Sequence, residues 1–403
     1  MGYLHGIEIK EGAKRTVIAT GDTSVIALIG TAPQGCVGEV KLITSKDAGR
    51  KEFGEDVAGF TIPAALDVIF SMAGAKVLVL NVLSAEKAAA LLEDDGRMTR
   101  SEAGELATNI YKASLPEAVD YTAEIVAGIG KMEHSGDSLG VTPNVLIAPG
   151  YSQLPAVATK LVTVAQKLNG FAVIDVVAAD VQAVLEARNN GDYNIASQAA
   201  ILCYPTVIRF NEHENGNDEV GLSVFWAACK AARDAEKGYW ISPSNTELTG
   251  IVGLTADVTS SLTDEAADTN LLNGAGIVTV FRKTGSGTRL WGNWTAAYPT
   301  EKTPDCMIAC RAVRMAIREA LVDATLNYID KTPTLIAVDM VTEDVNEFLR
   351  GLAGQDAIAE GECRFDEEKN TAAEMAQGHL TFVLAVTYQS SLERMTFEEV
   401  VEY

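Results

Sequence analysis

The residues that could do chemistry are few, and each set lacks a working part. Gly30-Thr-Ala-Pro-Gln-Gly35 follows an apolar run and has the spacing of a phosphate-binding loop, in which backbone N–H groups cradle phosphate while a Lys and a Ser or Thr hold phosphate and magnesium. Cys36 and Val37 stand at those two positions. Gly285-Ser-Gly287 continues as Thr-Arg-Leu290, without the third Gly of a dinucleotide fingerprint, and reads as a turn between strands. Ser152 sits in Gly150-Tyr-Ser-Gln-Leu154, where Leu154 replaces the second Gly of a nucleophile elbow, so a helix cap is the better reading. None of the four histidines (His5, His134, His213, His379) has a metal partner at ligand spacing or a signature Ser or Cys nearby. The six cysteines include no CxxC pair, which argues against a disulfide framework or a zinc site and for a reducing compartment. Cys306 and Cys310 share a helix face and read as small buried residues. No catalytic residue, metal or cofactor is expected.

One charge feature stands out. After Pro304, Arg311, Arg314 and Arg318 are spaced three and four apart and line one face of a helix, while Ile308, Val313, Ile317, Leu321 and Leu326 supply its buried side. A basic stripe in an acidic chain implies an acidic partner surface. The alternative is a solvated face paired internally, for instance to Glu319 or Asp323.

The elements that must position these residues follow an alternating pattern. Ser24–Gly30, Lys76–Leu83, Asn144–Pro149 and Phe171–Val176 read as strands, several apolar on both faces. Ile62–Ala73, Leu115–Gly128, Leu154–Leu168, Val181–Arg188 and Leu222–Glu236 read as helices between or after them. Further strands are expected at Ala200–Tyr204, Thr206–Phe210, Ile277–Arg282 and Arg289–Trp291, the last two as a hairpin. The polar run Asn211–Glu219 reads as an exposed loop. The fold class is therefore α/β with a largely parallel sheet over residues 24–298. After Pro299 the pattern changes to helices at Asp305–Tyr328 and Thr342–Leu352, then strands at Glu362–Phe365, His379–Tyr388 and Met395–Tyr403, a separate α+β unit.

Composition sets the outer limits. The chain has 403 residues, 47% apolar and 22% charged, with a net charge of −23, so a nucleic-acid partner is disfavoured. No apolar run reaches the roughly 20 residues that span a bilayer, and residues 1–6 show no export or myristoylation signal. Both ends are strand-like without a visible partner. Ile7, Glu8 and Ile9 alternate apolar and polar before a Gly and Lys/Arg break, and Phe397-Glu-Glu-Val-Val-Glu-Tyr403 has no turn and return strand after it. Such arms either pair within their own subunit or complete a sheet in a neighbouring one through Ile7 to Ile9, Phe397, Val400, Val401 and Tyr403.

Several segments together resemble the contractile tail sheath proteins of myophages and phage-tail-like bacteriocins, especially the P2-like branch. They are Leu4-His-Gly-Ile-Glu-Ile9, Thr23-Ser-Val-Ile-Ala-Leu-Ile-Gly-Thr-Ala-Pro33, Leu271-Leu-Asn-Gly-Ala-Gly-Ile-Val-Thr-Val-Phe-Arg282 with Leu290-Trp-Gly-Asn-Trp-Thr295, and Ala376-Gln-Gly-His-Leu380 through Ser391-Leu-Glu-Arg-Met-Thr-Phe397. Residues 31–140 match poorly. The resemblance implies an outer α/β portion (24–298) likened to subtilisin without its triad, its poorly matched part on the outer surface. It implies an inner portion (1–23 and 299–403) that polymerises through terminal arms and contacts the tube through Arg311, Arg314, Arg318 and Arg350. The implied partners are other copies in stacked six-fold rings, a tail tube protein, the baseplate and the tail terminator, in a virion tail or tail-like particle assembled in the bacterial cytoplasm. The implied action is contraction, powered by energy stored at assembly and not by a nucleotide. Acidic residues Glu343, Asp344 and Glu347 beside Arg350 depart from a wholly basic inner surface. An α/β hydrolase or subtilisin-like enzyme, and a filament that does not contract, are the competing readings.

Overall fold

The computed structural model describes residues 23–83 and 121–401 together with residues 18 and 21, apart from residues 58, 283, 284, 286 and 333. The described residues divide into two compact units, 23–315 with 390–401, and 316–389 with residues 18 and 21. The divide falls inside a long helix, later in the chain than the change of pattern at Pro299.

In chain order the larger unit contains β1 (Ile26–Gly30), β2 (Val40–Ile43), α1 (Lys46–Phe53), α2 (Thr61–Met72), β3 (Val77–Asn81), α3 (Thr122–Lys131), α4 (Ser135–Leu139), β4 (Val145–Ile147), α5 (Pro155–Lys167), β5 (Phe171–Asp175) and α6 (Val181–Asn190). It continues with β6 (Ala200–Cys203), β7 (Val207–Asn211), β8 (Gly216–Val220), α7 (Leu222–Lys237), β9 (Ile251–Leu254), α8 (Asp268–Gly274), β10 (Ile277–Arg282) and β11 (Thr288–Trp291). Eight strands form one sheet in the order β11-β10-β6-β5-β4-β1-β3-β2. The six inner strands run parallel, and β11 and β2 close the two edges antiparallel.

The uninterrupted apolar runs are explained by burial on both faces. On β1, Ala27 and Ile29 pack in one layer with α3, α5 and α6, while Ile26 and Leu28 pack in the other with α2 and α7. Full burial of Ile26, Leu28 and Ile29 contributes about 1.5–3 kcal/mol each before conformational entropy is subtracted. Helix starts are locally encoded. The Ser45 hydroxyl accepts from the Ala48 N–H (3.2 Å) and the Asp180 carboxylate from the Ala183 N–H (2.9 Å), and Pro155 opens α5.

Residues 211–219 are not the loop the polar composition predicts. Only the turn is loop, where the Asn211 carbonyl side chain accepts the N–H groups of His213 and Glu214. Gly216–Val220 is a strand pairing antiparallel with β7, in a three-stranded sheet ordered β8-β7-β9. Its outward positions face solvent, so apolar alternation is absent. Arg209 on β7 is buried between Asp56 and Asp218, the latter at 2.9 Å.

The smaller unit holds the second half of α9 (Ile308–Thr325), then α10 (Leu335–Gly354), β12 (Ile358–Phe365), α11 (Ala372–Ala376) and β13 (Phe382–Tyr388). Helix α10 begins seven residues before the expected Thr342, because the Thr334 side chain caps it at the Ala337 N–H (3.2 Å). Val338, Val345, Leu349 and Leu352 are buried on α10, and the Asn346 amide bridges to the backbone of Cys363 on β12 (2.9 and 2.7 Å). Strands β12 and β13 form a two-stranded antiparallel sheet. The strand expected at Met395–Tyr403 is not formed: from Gln389 to Val401 there is no regular secondary structure, since a strand exists only where a partner supplies its ladder.

Candidate functional site

The nearest approach to a catalytic cluster lies at the C-terminal ends of β4 and β5. Ser152, fully buried, donates to Asp175 (3.3 Å) and accepts its backbone N–H (3.0 Å). Asp175 also accepts the Ser223 N–H (2.8 Å) and hydroxyl (2.5 Å) at the start of α7. Burial pushes the Asp175 carboxyl above its usual range, opposed by the Ser223 and Ser152 hydrogen bonds. Among the described residues no His joins the group, and its hydrogen bonds tie the start of α7 to the ends of β4 and β5. Ser152 is not the cap of α5 that the sequence suggested, since Leu154 holds that position.

The loop with phosphate-binding spacing uses its own amides internally. Thr31 N–H donates to Thr61 Oγ1 (3.1 Å) and Ala32 N–H to Asn81 Oδ1 (3.2 Å). Cys306 and Cys310 are buried, and burial raises both thiols, Cys310 to about 11. Among the described residues no cluster of three His, Cys, Asp or Glu could hold a metal ion, and no helix is long and apolar enough to cross a membrane.

The arginines do not form one exposed stripe. The first half of α9 is buried almost all round, which takes Arg311 inside. It is 7% exposed, donates to the Gly170 carbonyl (3.1 Å) and lies over the Phe171 ring at 5.6 Å. Arg311 is thus corrected from a partner-facing residue to a core clamp. Arg314 pairs with Asp305 (3.3 Å), Arg318 is exposed, and Arg350 is exposed and paired with Glu343 (2.8 Å). Leu326, expected on the buried side, is 69% exposed, beside exposed Val322 and Ile329.

The segments that carried the resemblance have structural work. Asn273 on α8, with its amide oriented to satisfy both ends, donates to the carbonyls of Trp291 (3.1 Å) and Ile277 (3.0 Å) and accepts the Trp291 indole N–H (3.2 Å). Arg188 on α6, which sequence reasoning missed, donates to the carbonyls of Ala275 (3.0 Å), Tyr193 (3.2 Å), Ala296 (2.7 Å) and Tyr298 (3.0 Å). A buried guanidinium without a carboxylate is satisfied here by backbone alone, and burial lowers its pKa.

The C-terminal segment returns to the same motif. Glu393 accepts from the Trp294 indole N–H (2.9 Å) and the Asn293 amide (3.3 Å), and Trp294 stacks on Tyr298 with ring centres 4.4 Å apart. Beyond it Met395, Phe397, Val400 and Val401 are 62–88% exposed. Ile7, Glu8, Ile9 and Tyr403 lie outside the described residues.

Comparison with known proteins agrees over nearly the whole length. A family profile described as phage tail sheath protein central domain matches residues 117–296. The tail sheath protein of Burkholderia phage BcepMu is 32% identical, over 98% of this chain and 96% of its own. The tail sheath protein of Escherichia phage P2 is 24% identical over 98% and 95%. The helical sheath of the anti-feeding prophage in its contracted state shares the fold, with a TM-score of 0.70 at 18% identity and 99% coverage of both chains. A relative 32% identical over nearly the whole of both chains, with a sheet shared with a solved sheath, leads to one conclusion: the chain belongs to the phage tail sheath protein family.

Proposed function

We propose that this sheath subunit polymerises as stacked six-fold rings around an inner tube and contracts to drive that tube through a cell envelope. The carrying observation is the C-terminal segment, whose Phe397 is 88% exposed and Val400 79% exposed with no ladder of its own. Strand β13 adds to it: Leu384 is 37% exposed, and none of its seven residues is fully buried, in a sheet of two strands. Each strand of this sheet has a single partner among the described residues, and an arm from a neighbour would extend it at an open edge. In this reading residues 1–23, with Ile7, Glu8 and Ile9, form the second arm, and Phe397 to Tyr403 the first.

The α/β portion acts as a building block, with a sheet likened to that of subtilisin but with a helix anchor where chemistry would sit. Tube contact falls to Arg318 and Arg350, with Arg314 tied to Asp305 and Arg311 inside. Exposed ion pairs of about 0–1 kcal/mol each, repeated over many subunits, hold an extended state and still release. Baseplate and terminator bound the polymer at its ends. The particle is a virion tail or a tail-like relative, assembled in the bacterial cytoplasm.

Negative-stain electron microscopy over a concentration series, with and without the cognate tube protein, tests this. Short wide cylinders of protein alone, and longer narrow ones with tube, are expected; polymers of a single diameter would make it a filament that does not contract, and a monomer under every condition would remove the arm argument. Arg318→Glu with Arg350→Glu should leave the melting temperature unchanged and reduce tube co-assembly. Unchanged co-assembly would remove the basic contact.

A further inference from the structure

Two stretches a hundred residues apart in the chain meet at one point. The Glu393 carboxylate accepts from Trp294 Nε1 (2.9 Å) and Asn293 Nδ2 (3.3 Å). Among the described residues, the only other polar link from Ser390–Val401 to the body is Arg394 with Glu265 at 3.7 Å, both side chains about 80–90% exposed and so worth little. The receiving side is held firmly. The Asn293 carbonyl accepts the Ile308 N–H (2.8 Å), the Thr295 N–H and hydroxyl both donate to the Cys306 carbonyl (2.9 Å each), Trp294 bridges Met307, and the indole stacks on Tyr298. An indole N–H has one direction and no acceptor role, so it fixes where the carboxylate can sit.

We propose that Glu393, gripped by Trp294 and Asn293, is the positioning residue that sets where the C-terminal arm leaves the subunit. The apolar residues that follow, Met395, Phe397, Val400 and Val401, are then presented to one neighbouring copy in one register instead of sweeping freely. This rests on the arm-exchange reading. Fixing the arm at its root lowers the ordering entropy that docking otherwise costs, so the clip acts on assembly and not on the fold of the monomer. A side-chain period of two makes register matter, because a one-residue slip would turn the apolar set to the opposite face.

The test compares Glu393→Ala, Trp294→Phe, their combination, and a chain lacking residues 395–403. Trp294→Phe keeps a ring for Tyr298 and removes only the N–H. The readouts are the melting temperature of the unassembled protein and the critical concentration for polymerisation by sedimentation. Each single variant should melt like the wild type and raise the critical concentration severalfold, less than a buried charged hydrogen bond would give because Glu393 is exposed. The combination should raise it no further than Glu393→Ala alone, since that substitution already removes both hydrogen bonds. Wild-type critical concentrations in the single variants, with no polymer from the shortened chain, would overturn the clip and leave arm exchange standing. Polymerisation of the shortened chain at the wild-type concentration would overturn arm exchange itself. Multiplied effects in the combination, or a lowered melting temperature in either single variant, would show that the two side chains do not act as one positioning contact.

Discussion

Arg188 shows how much one side chain can hold. Its guanidinium donates to four carbonyls from three separate stretches of chain, and none can turn to water once the site is closed. Arg188→Leu should lower stability by about 3 kcal/mol, read from the denaturant midpoint, because the carbonyls are left bare while the volume stays filled. Asp175 gives a pH test. Burial holds its carboxyl above the ordinary range, so the folded state binds that proton more tightly than the unfolded chain. Its share of stability is complete below about pH 4 and declines as pH rises through the folded value. Asp175→Asn removes this dependence, so the melting temperature of the variant relative to wild type should move upward between pH 4 and pH 7; a constant difference would contradict it. Neither residue was legible in the sequence. Arg188 has carbonyl partners, which every residue possesses, and Asp175 meets Ser152 and Ser223 only through the folded sheet. The arginines after Pro304 were legible as a spacing, yet spacing states which side chains share a face and not which half of the helix is buried.

Elements were read far more securely than sites. Both layers on β1 are packed, so its continuous apolar run was a sufficient signal, and the same holds for β3, β4 and β5. Strand β8 was invisible because its exposed positions carry Asn217 and Glu219 while its one buried apolar residue, Val220, ends it. The first half of α10 was missed because Leu335 and Ile336 are about 70% exposed and break the expected apolar period, whereas the Thr334 cap was there to be read. Leu349, fully buried on α10, should carry that unit's small core: Leu349→Ala is expected to cost about 3 kcal/mol. Hydrogen exchange checks it, with faster exchange across β12 and β13. Unchanged protection there would mean that α10 does not stabilise the two-stranded sheet.

At the scale of the molecule, charge opposes what the exposed apolar segments favour. Each copy carries −23, so neighbours repel when brought together. Shortening the Debye length from about 30 Å at 0.01 M to about 8 Å at 0.15 M salt should therefore lower the critical concentration for polymerisation. A rise instead would mean that attractive ion pairs outweigh the net repulsion. The larger unit also has a built-in order of completion. Arg188 emerges during synthesis 110 residues before Tyr298, and its other distant acceptors, Ala275 and Ala296, are nearly as late. On vectorial synthesis the Arg188 cation is expected to stay hydrated until the chain beyond β10 is available to satisfy it. A chain that ends before residue 296 lacks two of the four carbonyls that Arg188 needs, so its buried cation has half of its partners.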